Sequence, residues 1–474
     1  MKQLQPSAWL TDKRSVAKAL LDALLARFSY ASVLLTDSEA KSYRISRTGI
    51  SVGESATFGA KGAVVRVFDG GRYAEYATDL VELSEIPTVL SAVTASLTEQ
   101  TPEGLETSCF AAPAEEPITL SKATEYLVHP RELGSEQILD RLSSVRDKVM
   151  ALDGRLLDVG VSATYQEYHK LFLSPKRDMT QSVMWMTASA FLLASRGEEI
   201  KSYHKSFSGL GGAEVLDSMH EGMEEAVRTT LELLDSTPIE PGLYDCICSP
   251  DVTGMIVHEA FGHGVEMDMF VKDRALAASY IGQQVASPLV TMRDGAASAM
   301  ETATYFFDDE GTLAGDTVVI QNGILKQGIC DAQSAMTLGC APTGNGRRER
   351  FDHKAYTRMT NTFFEGGKDT LESMIASIKE GVLLENASSG MEDPKNWGIQ
   401  CMVNIAREIK DGKLTGRIFS PIVLTGYVPD LLRSISMMSE RVELGGGGMC
   451  GKGYKEWVKV SDGGPYIKAK IRLG

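Results

Sequence analysis

Hydrophobic residues recur at three- and four-residue spacing in several segments of the first half of the chain, which is typical of one face of an α-helix. The helices predicted from this spacing span residues 15–28, 80–97, 135–152 and 213–234. Residues 29–68 read as short strands, and the turn Asp69-Gly70-Gly71 predicts a hairpin. Residues 98–119 hold three prolines and little periodicity, which predicts a loop. The alternation across 156–195 indicates antiparallel strands.

The second half of the chain has fewer helical periods and more turn signals. Asn322-Gly323 and Asp411-Gly412 each separate two hydrophobic runs, and such dipeptides are typical of two-residue hairpins. The segment STPIEPG, at 236–242, contains two prolines and predicts a domain boundary. We therefore predict an α+β protein with antiparallel sheets in both halves. Its N-terminal α/β domain, with long helices, spans 1–237, and its β-rich C-terminal domain spans 238–474.

Composition narrows the classes of protein that this chain can represent. Its 474 residues are 43% hydrophobic and 23% charged, which is ordinary for a globular protein. The 48 basic and 63 acidic residues give a net charge of −15, which disfavours broad binding to nucleic acid or anionic membranes. No hydrophobic run approaches the roughly 18 residues that cross a bilayer. The seven irregularly spaced cysteines do not form a disulfide framework, so we expect a cytoplasmic protein with reduced thiols.

The motif His258-Glu259-x-x-x-His263 predicts a zinc site with hydrolytic chemistry. Two neutral imidazoles suit zinc, and a glutamate beside the first is the usual general base for water at the metal. The common motif has its histidines four residues apart, about 40° around a helix, whereas five residues give about 140°. A metal site therefore needs either a wider turn or a helix interrupted near Gly262. A single π-turn would bring the two rings together, and Gly262 and Gly264 would ease that distortion. Taken alone, so short a motif favours the alternative of one packed and one surface histidine.

The third ligand stays open on sequence grounds, because a catalytic zinc normally has three protein ligands and one water. Candidates are Glu266, Asp268, His353 and the cysteines. Cys450 stands out because glycines on both sides let its backbone approach another segment, and nearby Lys452 would favour a thiolate. The alternative is a flexible loop holding a cysteine that acts as a small buried apolar residue.

Three other groups of residues carry weaker signals. The run Asp308-Asp309-Glu310 lacks the alternating ligand spacing of an EF-hand calcium loop, which favours a strand that ends in an acidic turn. Cys246 and Cys248 lie on one face of a predicted strand, where we expect no second metal site. His353 follows the basic stretch 347–350, and a solvated loop is favoured there over a positive rim that would guide acidic peptides.

Four separated blocks of this sequence resemble the TldD half of the TldD/PmbA metalloprotease family, whose members are also called modulators of DNA gyrase. The resemblance covers most of the chain and is densest from about residue 250 to the end. The blocks are HEAFGHGVEMD at 258–268, YFFDDEGT at 305–312, RMTNTFFEGG at 358–367 and GGGGMCGKGYKEWVKVSDGGPYIKAKIRLG at 445–474. Because four blocks occur in the same order, the resemblance is far more specific than the short motif alone.

This resemblance implies a zinc-dependent peptidase that trims or degrades unfolded or flexible peptides. It implies His258, His263 and Cys450 as zinc ligands and Glu259 as the catalytic acid and base. Subunits of the PmbA (TldE) type usually lack the metal motif, so this chain resembles the catalytic type. The family forms homodimers, or heterodimers with a PmbA/TldE-type subunit.

The alternative hypothesis is a non-catalytic protein that modulates a gyrase-linked complex, with its zinc structural or absent. The intact Glu259 disfavours this alternative, because a structural site needs no base. Antiparallel sheet near the site would hold an extended peptide by strand addition, through main-chain hydrogen bonds.

Overall fold

The computed structural model describes residues 1–54, 59–69, 71–99, 113–453 and 455–474. Most of the predicted loop at 98–119 lies outside these residues, as does Cys109, so that prediction stays a prediction. Within the described ranges, no helix is both long and apolar enough to cross a lipid bilayer.

The N-terminal part consists of long strands with helices packed against them. Its helices are α1 (Ala8–Leu25), α2 (Ile86–Glu99), α3 (Pro130–Met150) and α4 (Met223–Glu232). Its strands are β1 (Lys2–Gln3), β2 (Tyr30–Ser46), β3 (Gly49–Glu54), β4 (Ala60–Asp69), β5 (Arg72–Thr78), β6 (Ile118–Ala123), β7 (Glu125–Tyr126), β8 (Leu156–Leu173), β9 (Arg177–Arg196) and β10 (Glu199–Leu210). The main sheet has the order β10-β9-β8-β2-β4-β5.

The predicted helices are present, and their ends differ from the predicted ends where capping residues act. Helix α1 begins seven residues early because the Ser7 side chain accepts a hydrogen bond from the Leu10 amide. Helix α3 is interrupted at Gly134, which has a non-helical φ of 80°, so its continuous part begins at Ser135 as predicted; the short turn before it begins at Pro130, where the His129 ring accepts from the Arg131 amide. The predicted helix 213–234 divides into a 3₁₀ segment and α4, because Gly222 between them has a left-handed backbone with φ of 66°.

The two faces of the N-terminal sheet pack against different parts of the molecule, since successive side chains of a strand point to opposite faces. One face of β2, which includes Val33, packs against α1 and α2. Leu34 and Phe172 point to the opposite face, where they contact Phe307 and Phe351 from the second half of the chain. This face therefore joins the two halves of the molecule.

The C-terminal part is rich in short strands. Its helices are α5 (Pro250–Met255), α6 (Met267–Val271), α7 (Ala332–Leu338), α8 (Leu371–Ala376) and α9 (Val428–Arg433). Its strands are β11 (Gly242–Cys248), β12 (Met292–Asp294), β13 (Thr317–Gln321), β14 (Ile324–Leu325), β15 (Gly346–Arg347), β16 (Tyr356–Thr357), β17 (Asn361–Phe364), β18 (Glu380–Asp393), β19 (Gly398–Lys410), β20 (Lys413–Phe419), β21 (Ile422–Tyr427), β22 (Met437–Met438), β23 (Glu443–Gly445), β24 (Met449–Lys452), β25 (Lys455–Lys459), β26 (Ser461–Gly464) and β27 (Ile467–Leu473).

Two sheets organise these strands. One has the order β11-β18-β19-β21-β27-β22, and because β11 also pairs with β27, it closes into a ring. The other has the order β14-β13-β12-β17-β26-β23. The predicted α+β class is confirmed. The expectation of antiparallel sheets holds for most strand pairs, but β6–β9, β11–β18 and β17–β26 are parallel, since long connections separate the strands of each pair.

Both predicted C-terminal hairpins are present, joining β13 to β14 and β19 to β20. Asn322 and Gly323 have φ of 49° and 82°, and Asp411 and Gly412 have 48° and 74°. These positive values fit the turn type that such dipeptides favour. The predicted domain boundary at 237 falls between α4 and β11, and the division into two folding units stays a prediction.

A buried ionic network connects the two halves of the chain. Arg66 on β4 pairs with Glu310 at 2.5 Å and with Glu75 on β5 at 2.8 Å. Arg348 pairs with the same Glu75 at 2.5 Å. Burial acts to raise the pKa of Glu75, but the Arg348 and Arg66 guanidinium groups lower it strongly. Two residues of the acidic run serve this junction, with Asp309 bonded to Lys170 of β8 and Glu310 to Arg66, whereas Asp308 accepts hydrogen bonds from amides within its own half.

Replacing Arg66 by methionine is expected to destabilise the protein by about 3–5 kcal/mol, because it leaves Glu310 buried without its cation, whereas Glu75 keeps Arg348. The free energy of unfolding from urea titration measures this effect. The matched control is Arg155→Met, which breaks an ion pair whose arginine is 54% exposed and should change stability far less, because water screens an exposed pair. Equal effects of the two substitutions would contradict a structural role for the network.

Candidate metal centre

The helix that carries the two motif histidines changes its winding at the motif. Helix α5 continues as a π-helix over Ile256–Gly262, followed by a 3₁₀ turn over His263–Val265. The His263 amide donates to the His258 carbonyl, five residues earlier, which is the hydrogen bond of a π-turn. The two rings lie 5.2 Å apart at 89°. Of the two arrangements considered for the five-residue spacing, the π-turn is present, and the helix is not interrupted at Gly262.

Gly262 serves a different purpose from the one its sequence position indicates. Its φ of −61° and ψ of −51° are ordinary helical values, so the expectation that it relieves a distorted backbone is wrong. A Cβ atom at this position would lie 2.1 Å from the Met359 sulfur. Glycine is required here because a neighbouring segment packs directly against the motif.

Cys450 on β24 meets both histidines at one point. Its Sγ lies 3.2 Å from His258 Nε2 and 3.4 Å from His263 Nε2. Tetrahedral zinc, with bonds of about 2.0–2.3 Å, separates a nitrogen and a sulfur ligand by about 3.5 Å. The donor types and their spacing therefore fit a zinc ion. His258 and Cys450 are only 4% and 6% exposed.

The charges around Cys450 favour its thiolate form. Burial acts to raise its pKa, but the His258 and His263 imidazoles lower it well below the usual thiol value. Burial acts to lower the pKa of His258, and the sulfur beside it raises that pKa to about 9. Arg358, fully buried, also donates to Cys450 Sγ at 3.0 Å.

Arg358, and not Lys452 as the sequence indicated, is the cationic side chain beside the Cys450 thiolate. The Lys452 ammonium donates to Glu266 at 2.8 Å and to Asp268 at 2.9 Å, so the expectation that it favours the Cys450 thiolate is wrong. Sequence reasoning missed Arg358, whose only signal is that it opens the block RMTNTFFEGG.

The other candidate ligands lie outside the cluster of donor atoms. Glu266 contacts His263 at Nδ1, 3.4 Å away, on the far side of the ring from Nε2. Asp268 is bonded to Lys452, and His353 contacts Glu456. Cys246 and Cys248 are buried in β11, and neither belongs to a cluster of potential metal ligands in the described part of the chain.

A carboxylate faces the outer nitrogen of each histidine. Glu266 faces His263, and Asp462 Oδ2 lies 3.8 Å from His258 Nδ1, a buried atom that makes no hydrogen bond. Burial raises the pKa of Asp462 to about 6. Metal-binding histidines commonly have such carboxylate neighbours, which orient the ring. Sequence reasoning missed Asp462, although it lies in the C-terminal block.

Glu259 lies beside the donor cluster and reaches solvent. Its Oε2 is 3.9 Å from His263 Nε2, and its side chain is 19% exposed. A Cβ atom at Gly390 of β18 would lie 2.4 Å from Glu259 Cγ, so this strand packs closely along the glutamate. Its position suits a base next to a metal and not a fourth ligand.

The glycine-rich segment before Cys450 is held by hydrogen bonds on both sides. The Gly446 amide donates to the Ser208 hydroxyl at 2.8 Å, and its carbonyl accepts from Thr302 at 3.0 Å. Ser208 belongs to β10 of the N-terminal sheet. The two halves of the chain thus both support the segment that carries Cys450.

Comparisons with known proteins place this arrangement in context. Residues 241–472 match the model of the PmbA/TldA metallopeptidase C-terminal domain. A metalloprotease of Methanothermobacter thermautotrophicus is 31% identical over 327 residues, 68% of this chain and 70% of that protein. A metalloprotease TldD homolog of Haemophilus influenzae is 30% identical over 353 residues, 72% of each chain.

Solved structures share the whole fold at lower identity. TldE from Thermococcus kodakarensis has a TM-score of 0.72 at 17% identity, covering 96% of this chain and 100% of its own. A Thermotoga maritima protein, described as a candidate modulator of a DNA gyrase, has a TM-score of 0.76 at 17% identity, with the same coverage. These likenesses concern the fold alone.

Proposed function

This chain belongs to the PmbA/TldD metallopeptidase family, and we propose that it is a zinc-dependent peptidase that hydrolyses unfolded or flexible peptides. The observation that carries the proposal is the convergence of His258 Nε2, His263 Nε2 and Cys450 Sγ, with the Glu259 carboxylate alongside. In this proposal the first three residues hold zinc, and Glu259 is the general base. The names of the relatives support a metallopeptidase.

The proposed mechanism assigns a separate task to each group. A zinc ion held by this donor set supplies a Lewis acid and lowers the pKa of water toward neutrality. Glu259 takes a proton from the attacking water and passes it to the leaving amine. Asp462 and Glu266 orient the two imidazoles from behind.

Burial of the donor atoms supports a flexible substrate. Two of the donor residues, His258 and Cys450, are almost inaccessible, and the side chains of His263 and Glu259 are each only 19% exposed. An extended peptide can bring a scissile bond to such a site, whereas the surface of a folded domain cannot.

Strand β23 is the last strand of its sheet and runs into the segment that carries Cys450. Strand addition there would bind a peptide through its main chain, with little sequence selectivity.

The proposal includes the oligomeric state that the family resemblance implies. We propose a homodimer, or a heterodimer with a PmbA/TldE-type subunit. A cytoplasmic location stays a prediction from composition.

Removal of the metal tests the proposed function. Treating the purified protein with a strong chelator is expected to lower cleavage of an internally quenched flexible peptide by at least ~100-fold, because the Lewis acid is lost. One equivalent of zinc should restore cleavage. Fluorescence gives the rate, and elemental analysis gives the zinc content of the same samples.

Two controls distinguish the peptidase hypothesis from the alternative of a non-catalytic modulator. A tightly folded protein offered as substrate should stay intact under the same conditions. Full zinc occupancy without cleavage of any flexible peptide would refute the proposal and favour the non-catalytic modulator.

A further inference from the structure

A second group of potential metal ligands lies on the hairpin that carries Cys450 and on a neighbouring loop. We propose that Glu349, His353 and Glu456, here called the second cluster, bind a first-row divalent cation. This site is separate from the His258–His263–Cys450 centre, and it does not depend on the proposed peptidase function.

The geometry of the second cluster matches the ligand spacing of such an ion. His353 Nδ1 lies 3.3 Å from Glu456 Oε2 and 3.6 Å from Glu349 Oε2. Nitrogen and oxygen ligands of tetrahedral zinc, with bonds of about 2.0–2.2 Å, are separated by about 3.4 Å. All three donor atoms lie within 4.8 Å of one another, as in the main centre.

The loop that supplies two of the ligands is fixed by hydrogen bonds. The His353 amide donates to the Arg350 carbonyl at 3.1 Å, and the His353 carbonyl accepts from Arg348 at 2.5 Å. Glu349 Oε2 accepts from the Trp457 amide at 3.2 Å, which ties the loop to β25. The ligands therefore converge without a large rearrangement, as an efficient metal site requires.

Charge gives a second reason to expect a cation. The side chains of Glu349 and Glu456 are 12% and 9% exposed, so two carboxylates are largely withdrawn from water. The Lys455 ammonium lies 3.6 Å from the other oxygen of Glu456, on the side away from His353 and Glu349. A divalent ion would balance both carboxylates directly.

The donor set indicates the class of metal. One imidazole and two carboxylates, without a thiolate, suit zinc or manganese better than a softer ion. His353 is 35% exposed and lines a cleft together with Asp352 and Lys354, which gives the ion a path from solvent.

One side chain connects the second cluster to the main centre. Arg358 donates through Nη1 to the Glu456 carbonyl and through Nη2 to Cys450 Sγ. An ion on Glu456 would therefore restrain the hairpin that positions Cys450.

The test measures bound metal when the main centre is disabled. After equilibrium dialysis against zinc or manganese, Cys450→Ala should retain one ion per chain at the second cluster, and Cys450→Ala/His353→Ala should retain none. In the wild-type background, His353→Ala should lower the zinc content from two ions to one. The matched control is His220→Ala, at an exposed histidine, which should leave the wild-type content unchanged.

Two further results decide the proposal. Added zinc should raise the thermal midpoint of Cys450→Ala but not that of the double variant, because only a folded site binds the ion. Glu349→Gln, which keeps an acceptor for the Trp457 amide, should weaken binding as His353→Ala does. The proposal would be overturned if the wild type bound only one ion per chain and His353→Ala bound the same ion. The second cluster would then be an ion pair. Because no readout is cleavage, failure here leaves the peptidase proposal untouched.

Discussion

Replacing Glu259 by glutamine is expected to lower kcat for peptide cleavage by about 10²–10⁴-fold, the usual contribution of a general acid-base group. Glutamine has nearly the same shape, so it keeps the packing against Gly390. It cannot take the proton of the attacking water. Steady-state kinetics on an internally quenched peptide measures this loss.

Zinc content separates loss of the base from loss of the metal. Because Glu259 lies outside the three converging donors, Glu259→Gln should bind as much zinc as the wild type. Glu372→Gln, which removes the same charge from an exposed site on α8, should leave both kcat and zinc content unchanged. Cleavage by Glu259→Gln at the wild-type rate would remove this residue from the mechanism.

Replacing Cys450 by alanine is expected to weaken zinc binding at the main centre by at least ~100-fold and to abolish cleavage. Removal of a ligand should cost more than the loss of an outer hydrogen-bonding partner, which typically costs about 10–100-fold. The substitution also leaves Arg358 facing two imidazoles, and this positive charge opposes the binding of a cation. Competition with a chromophoric chelator gives the affinity.

The matched control for Cys450→Ala is Cys248→Ala. Cys248 is fully buried in β11 and is not in a ligand cluster, so its replacement disturbs packing without removing a donor. This variant should be less stable but should bind zinc with wild-type affinity. If Cys450→Ala also kept that affinity, Cys450 would not be a ligand.

The main centre depends on both halves of the chain, although its donors come from one of them. Ser208 of β10 holds Gly446, and the buried ionic network around Arg66 fixes the same interface. We therefore expect substitutions at this interface to change the position of Cys450 as well as global stability. Ser208 and Arg66 lie outside the C-terminal region that matches the family model, whereas their partners Gly446 and Glu310 lie within it.

Local sequence patterns were sufficient to predict those elements that depend on interactions between neighbouring residues. Hydrophobic spacing predicted the helices of the first half, but not the short helices α5 to α9, and the dipeptides at 322–323 and 411–412 predicted their hairpins, because helix faces and tight turns are set by neighbouring residues. The five-residue spacing of His258 and His263 limited the motif to a π-turn or an interrupted helix for the same reason, and the structure has the π-turn. Helix ends were less accurate, since single capping side chains such as Ser7 decide them.

Contacts between segments that are distant in sequence could not be predicted from these local patterns. Cys450 lies 192 residues from His258, and it stayed one of several candidate ligands until the resemblance to a family implied its role. Lys452 was wrongly assigned to the thiolate because it is near in sequence, whereas the partner is Arg358. Gly262 was assigned to backbone strain because the approach of Met359 has no sequence signal.

The sequence by itself determined an α+β chain with a π-turn motif, because periodicity, turn chemistry and motif spacing act over a few residues. The tertiary structure alone decided which thiol, guanidinium and carboxylate surround that motif, and that Glu349 and His353 meet Glu456. These groups lie about a hundred or more residues apart along the chain. Their proximity results from the packing of whole sheets and hairpins, which no short stretch of sequence specifies.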